Sequence, residues 1–148
     1  MSGLAAARRW LYATLGPVVS AAGLTWRPTT GTTNPRLFHG VAPAGVAYPL
    51  VIFQALSPGN DAQTLTGNHI WSDPLYLIRV ITEGTRTDTI EPLVDAIAAV
   101  LQGASGTVSG GVVVECRRER EHDQPLPPVN GQPYTALGAE WRFKVQET

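Results

Sequence analysis

A chain of 148 residues, 43% of them apolar, is sized for one domain with a core of its own. Eleven basic and twelve acidic residues leave a formal net charge of -1, which excludes tight general binding to nucleic acid. The single cysteine excludes an internal disulfide, no His/Cys cluster has zinc spacing, and no apolar run is long enough to span a bilayer.

At the N-terminus Ser2 is placed to cap a helix from about Gly3 to Leu15, with Leu4, Leu11 and Leu15 on one face and Ala7 beside them. Gly16-Pro17 ends or kinks that helix, and Val18 to Leu24 continue as a short second turn. Arg8 and Arg9 lie inside the apolar stretch rather than ahead of it, so the segment reads as helix and not signal peptide. The expectation is a cytosolic product. Residues 26–45, "WRPTTGTTNPRLFHGVAPAG", are crowded with Pro, Gly, Thr and Asn and read as an extended arm or loop. "YPLVIFQAL", Tyr48 to Leu56, is a nearly continuous apolar strand. Residues 57–70 form a hairpin tip leading to "LYLIRVITEG", in which Tyr76, Ile78 and Val80 alternate against Leu77, Arg79 and Ile81.

"TDTIEPLVDAIAAVLQG" carries Ile90, Leu93, Ile97 and Val100 at helical spacing. Asp88 or Thr89 is the expected cap, Pro92 falls in the first turn, and Gly103 closes the helix. Two strands follow. "GGVVVECRRE" sets Val112, Val114 and Cys116 against Val113, Glu115 and Arg117. "AEWRFKVQ" sets Trp141, Phe143 and Val145 against Glu140, Arg142, Lys144 and Gln146. Between them, residues 122–133 read as a Pro-rich loop with an Asn-Gly turn. The predicted class is α+β: an antiparallel, mostly four-stranded sheet with two main helices packed on one face, in a single domain over residues 1–148.

Few residues suggest chemistry. Thr107 stands where a nucleophile elbow around Ser109 needs glycine, and a strand follows where the elbow needs a helix. His39, His69 and His122 are scattered and read as solvated loop residues. Asp88, Glu91 and Asp95 suit the N-terminal dipole of their helix. Cys116 has Arg117 and Arg118 beside it, which would favour a thiolate, but strand alternation puts it on the apolar face. No catalytic set, cofactor site or metal site is expected. Glu115, Glu119, Glu121 and Asp123 are interleaved with Arg117, Arg118 and Arg120, so the run makes no basic patch. It suits cross-strand or intersubunit ion pairs, each worth about 0.2–1 kcal/mol. The charged fraction of 16% is below the usual ~25%, as expected where neighbours cover part of the surface.

In fixed order, these segments resemble the tail-terminator, or tail-completion, family of long-tailed bacteriophages. The resemblance spans nearly the whole chain except Trp26 to Asn34. "RLFHGVAPAGVAYPLVIFQ" is similar to the family's approach to its first strand, "TIEPLVDAIAAVLQG" to its long helix, and "GGVVVECRRE" to its third strand. Tyr134…Leu137-Gly138…Trp141-Arg142 in "NGQPYTALGAEWRFKVQ" is the most telling piece. The resemblance implies assembly: a ring, usually of six copies, that caps the head-proximal end of the tail tube, stops its polymerisation and meets the head connector. DNA would pass through the lumen without specific binding, and no membrane is involved. A domain of this length has a radius of gyration near ~15 Å, and six such globules in contact leave a hole of about 38 Å. On this reading subunit or partner contacts fall to Arg117, Arg118, Glu119, Arg120 and Trp71, to the 57–70 hairpin, and to the 26–45 arm. A head-completion or neck protein is the alternative, and a small enzyme using Cys116 or Ser109 a remote one.

Overall fold

The computed structural model describes residues 3–28, 31–59, 61–63 and 70–147. The expected Ser2 cap, His69 and the tip of the 57–70 hairpin lie outside the described residues. Helix α1 (Gly3–Ala21) runs past its predicted end, carrying Pro17 inside it. Proline removes one backbone donor there. Leu15 and Val19 on either side are both fully buried, and that packing keeps the helix going.

The segment read as irregular contains three short strands. β1 (Thr25–Trp26) and β2 (Asn34–Pro35) pair antiparallel, and β3 (Leu37–His39) lies parallel to β4 (Leu50–Ser57). β5 (Asp61–Gln63) pairs with β6 (Ile70–Ser72), and β7 (Leu75–Glu83) leads toward α2 (Glu91–Leu101). β8 (Gly106–Val108), β9 (Gly111–Val129) and β10 (Gln132–Glu147) complete the chain. The class is α+β, but among the described residues the main sheet has eight strands, not the expected four, and it is mixed because β3 joins β4 in parallel. The additional strands β3, β5, β6 and β8 are three residues each, too short to show an alternation.

β10 is the central strand. On one side it pairs with β9 over its whole length; on the other it pairs with β7 through Tyr134–Arg142 and then with β6. Gly138 lies where the backbone of β7 comes closest: a Cβ there would overlap the Ile78 carbonyl and the Arg79 Cα. Both helices cover the same sheet face. Trp10, Leu11, Leu15, Leu93, Ile97 and Leu101 pack there against Phe53, Tyr76, Ile78, Trp141, Phe143 and Val145. Each large side chain so buried contributes roughly 1.5–3 kcal/mol. On the opposite face Phe38, Leu50, Ile81 and Ala136 form a second cluster, against which Trp26, Ala42 and Val46 pack. That part of the expected 26–45 arm therefore lies on the chain's own sheet.

Three local expectations are corrected. The cap residue of α2 is Ile90, with no side-chain cap bond; Asp88 is drawn instead to the Arg86 guanidinium. Residues 122–129 are not loop but the outer half of β9. Pro125, Pro127 and Pro128 are tolerated because this strand lies at the sheet edge, where missing donors disrupt no second ladder. The hairpin closes at Asn130-Gly131 with positive φ of 51° and 76°, as a two-residue primed turn requires. The third correction concerns phase. Val113 and Cys116 are fully buried while Val114 is exposed, so the run does not alternate through Val112, Val114 and Cys116 as expected. The cause is a bulge. Glu115 faces Lys144 and Val113 faces Val145, leaving Val114 as an additional residue.

Candidate interaction site

The charged run on β9 is arranged by a second bulge. Arg120 faces Glu140 and Arg118 faces Trp141, so Glu119 is again one residue more than β10 supplies. The five-residue run "RRERE" is therefore split between the two faces of the sheet. Arg118 turns to the helix-covered face with Glu121, the pair meeting at 2.9 Å. Arg117, Glu119 and Arg120 stay on the other face, with the polar side of β10.

There they meet the predicted Trp71. A cleft of about 620 Å³ is lined by Trp71, Asp73, Glu115, Arg117, Glu119 and Arg142, with Lys144 beside them. Arg142 is its organiser. Its Nε and Nη2 donate to the two carboxylate oxygens of Glu119 at 3.0 and 3.3 Å, and its Nη1 donates to the Asp73 carbonyl at 2.8 Å. This two-pronged contact fixes direction as well as distance. The Arg142 hydrogen bond holds the Glu119 carboxyl below the usual carboxylate range, against the opposing effect of desolvation. Lys144 Nζ stands 5.5 Å from the Trp71 ring centroid, a cation–π distance. Further along, Glu140 receives Arg120 at 3.7 Å and His122 at 2.7 Å.

The expected site residues thus divide. Arg117, Glu119 and Trp71 share one cleft, Arg120 adjoins it through Glu140, and Arg118 is on the opposite face. Arg142, Asp73 and Lys144 were not among the expected residues. Strand alternation had placed Arg142 and Lys144 on the polar face, but the register that brings them to Glu119 and Trp71 is set only in the folded sheet. Two histidines are also corrected. His122 is in β9, half-buried against Glu140, and His39 is in β3 with its ring 5.3 Å from that of Phe53. Both were read as loop residues because the strands holding them are bulged or short.

The chemistry of the remaining candidates is limited. Cys116 is fully buried, and burial pushes its thiol up to about 12 with Glu115 adding to the effect, so neighbouring arginines do not activate it. Ser109 is in the turn between β8 and β9, and its carbonyl accepts a hydrogen bond from Arg9 at 3.1 Å. Among the described residues no three His, Cys, Asp or Glu side chains gather as a metal site would need. No described helix is long and apolar enough to cross a membrane. What the cleft offers is a directional surface of both signs with an aromatic at one side.

No family model matches the chain, and no curated protein sequence matches it at a significant level. A solved structure is similar to it in fold: a chain of the virion of a native gene transfer agent particle. The likeness covers 99% of this chain and 96% of that one, with a TM-score of 0.61 and 21% sequence identity. At that identity it establishes the fold.

Proposed function

We propose that this chain is a structural protein of a phage-type virion, working by surface contact and not by catalysis. The observation that carries this reading is the fold likeness to a virion chain, end to end in both partners. A shared module would leave much of one chain uncovered; here almost nothing is left over. Within the virion we assign it the role of tail terminator, on the ordered sequence resemblance described above. In that role it forms a ring, with six copies as the expected number, on the head-proximal end of the tail tube. It stops tube growth, meets the head connector, and lets DNA pass through its lumen. The mixed-sign cleft around Arg142 suits such duty, since paired charges fix orientation more than they add affinity.

Electron microscopy of particles made without this chain tests the assignment. Overlong or uncapped tails are the expected result. Finished tails beside empty or leaking heads would move the chain to the head-completion side of the neck. Particles of normal form and infectivity would sink both.

A further inference from the structure

Charge is divided along this chain in a way its near-zero total conceals. None of the first 60 residues is Asp or Glu, and four are Arg, a formal charge of +4. The remainder holds seven basic and twelve acidic residues, -5. In the fold β3 and β4 of the first part lie toward the opposite edge of the sheet from β9, while α1 packs across the sheet from β3 to β8 and β9. The first part builds α1 and β1 to β4, whereas β9 is reached across the path β3-β4-β7-β10-β9. Four strand spacings separate those edges, roughly 19 Å.

Each part carries a groove with an apolar floor. Between α2 and the β9–β10 pair is a groove of about 320 Å³ with Val94, Ala98, Leu137 and Trp141 in its lining. Its exposed rim is Glu91, Asp95, Glu121 and Asp123, and the one arginine there, Arg118, is tied to Glu121. Between α1 and β3 is a groove of about 590 Å³ lined by Arg8, Arg9, Tyr12, His39, Val41 and Phe53, among other residues, none of them acidic. Val41 is 82% exposed and Tyr12 44%. Apolar groups so open beside cations are an unfinished surface. Partial burial, and after it the positive charge of Arg8, holds His39 below its usual pKa, so the ring there is neutral near pH 7.

We propose that these two grooves are the two halves of one head-to-tail contact between copies of this chain. Val41 and Tyr12 of one copy seat on the Val94, Ala98 and Leu137 floor of the next, and Arg8 and Arg9 face Asp95, Glu121 and Asp123. The apolar fit supplies affinity and the opposed charges supply orientation and rate of encounter. Because the halves are unlike and built from different elements, α1 with β3 and α2 with β9 and β10, the contact cannot be completed by two copies. It leaves a free half at each end of any open chain and ends only by closing a ring. That closure rests on the ring-forming role proposed above; the contact itself rests on the charge and shape of the grooves.

Charge reversal tests it. One variant carries Arg8→Glu with Arg9→Glu, the other Asp95→Lys with Asp123→Lys, and all four positions are exposed, so both should fold. Sedimentation velocity at low salt should show wild-type self-association and at least about a tenfold weaker association of each variant by itself. Mixed in equal amounts, the variants should reassociate, since each then offers its neighbour opposite charge on both sides. Circular dichroism melting of each variant guards against simple unfolding. Variants that associate like wild type, an equimolar mixture that stays dissociated, or a wild type monomeric even at millimolar concentration would each overturn the contact. The virion reading fails separately: it falls if the chain is absent from purified particles, whatever the variants do.

Discussion

β9 and β10 are partners over their whole length, yet they obey different rules. β10 is enclosed on both sides and keeps strict alternation from Ala139 to Val145, every second side chain in the core. β9 pairs along one side, with the three residues of β8 covering only the start of the other among the described residues. It takes 19 residues to run beside 16, and its three register shifts take up the difference. The Cys116 carbonyl and Arg118 N–H, on the outer side, are met instead by the Gly103 N–H and the Gln102 side chain at the end of α2. A strand enclosed between two others has no room for an additional residue; an edge strand absorbs one by bulging outward. Phase is therefore a property of a strand's neighbours as much as of its own residues.

The sharpest way to break that comparison is to delete one residue from each strand. Deleting Arg142 from β10 flips Phe143 and Val145 against Trp141 and should abolish cooperative folding. Deleting Glu119 removes a bulge, leaves Arg118 on Trp141 and Arg120 on Glu140, and should leave a folded protein with two-state urea unfolding. Equal damage from the two deletions would show that the bulge is not a tolerated insertion. Next in size is Phe143→Ala. This ring is fully buried between Trp10 and Tyr76, at centroid distances of 5.8 and 5.7 Å. Its truncation should cost about 3–5 kcal/mol in urea unfolding, while Val114→Ala on the exposed bulge should stay within about 0.5 kcal/mol.

Alkali gives a smaller effect, through one group on β9 and one on β7. Burial raises the Cys116 thiol of β9 and the Tyr76 hydroxyl beneath Phe143 to about 12 each. A raised folded pKa means stability that is complete below the unfolded value and lost as pH climbs toward the folded one. Stability should fall from about pH 8.5 for the thiol and about pH 10 for the phenol, by up to ~1.4 kcal/mol per pH unit for each. Cys116→Ala should flatten the first part of that decline and leave the second; an unaltered slope between pH 9 and 10 would refute the assignment to the thiol. The smallest expected change is that of Glu119→Gln, about 0.2–1 kcal/mol, full above the usual carboxylate range and gone only once pH has fallen through the lowered value of the folded carboxyl. If that loss instead persists at low pH, packing and not the Arg142 pair carries it.

Much of this fold is legible in the residues. The Ile90, Leu93 and Ile97 stripe of α2 and the alternation of β10 mark elements whose burial is one-sided and regular, and the structure buries them as the pattern does, although Val100, placed in the same stripe, is exposed and Leu101 is buried instead. What escapes is of two kinds. Strands of three residues complete barely one alternation, so β3, β5, β6 and β8 leave no pattern to find. The bulges at Val114 and Glu119 involve no glycine or other special residue, because an edge strand can bulge with ordinary side chains. That second gap also decided the candidate site. Arg117 through Arg120 were visible as a charged group, but the bulge in their midst sorts them to opposite faces, and their partners on β10 follow from a register that only the folded sheet defines.

The buried sulfur of Cys116 has a consequence for ageing. Near pH 7 a thiol raised to about 12 is ionised in only about one molecule in 10⁵, and the thiolate is the form that oxidants and disulfides attack. In the virion proposed above, the chain would leave the cell and lose every reductant that could repair it. Sealing the only thiol under Phe143 removes the step by which such an assembly would slowly crosslink or oxidise in air.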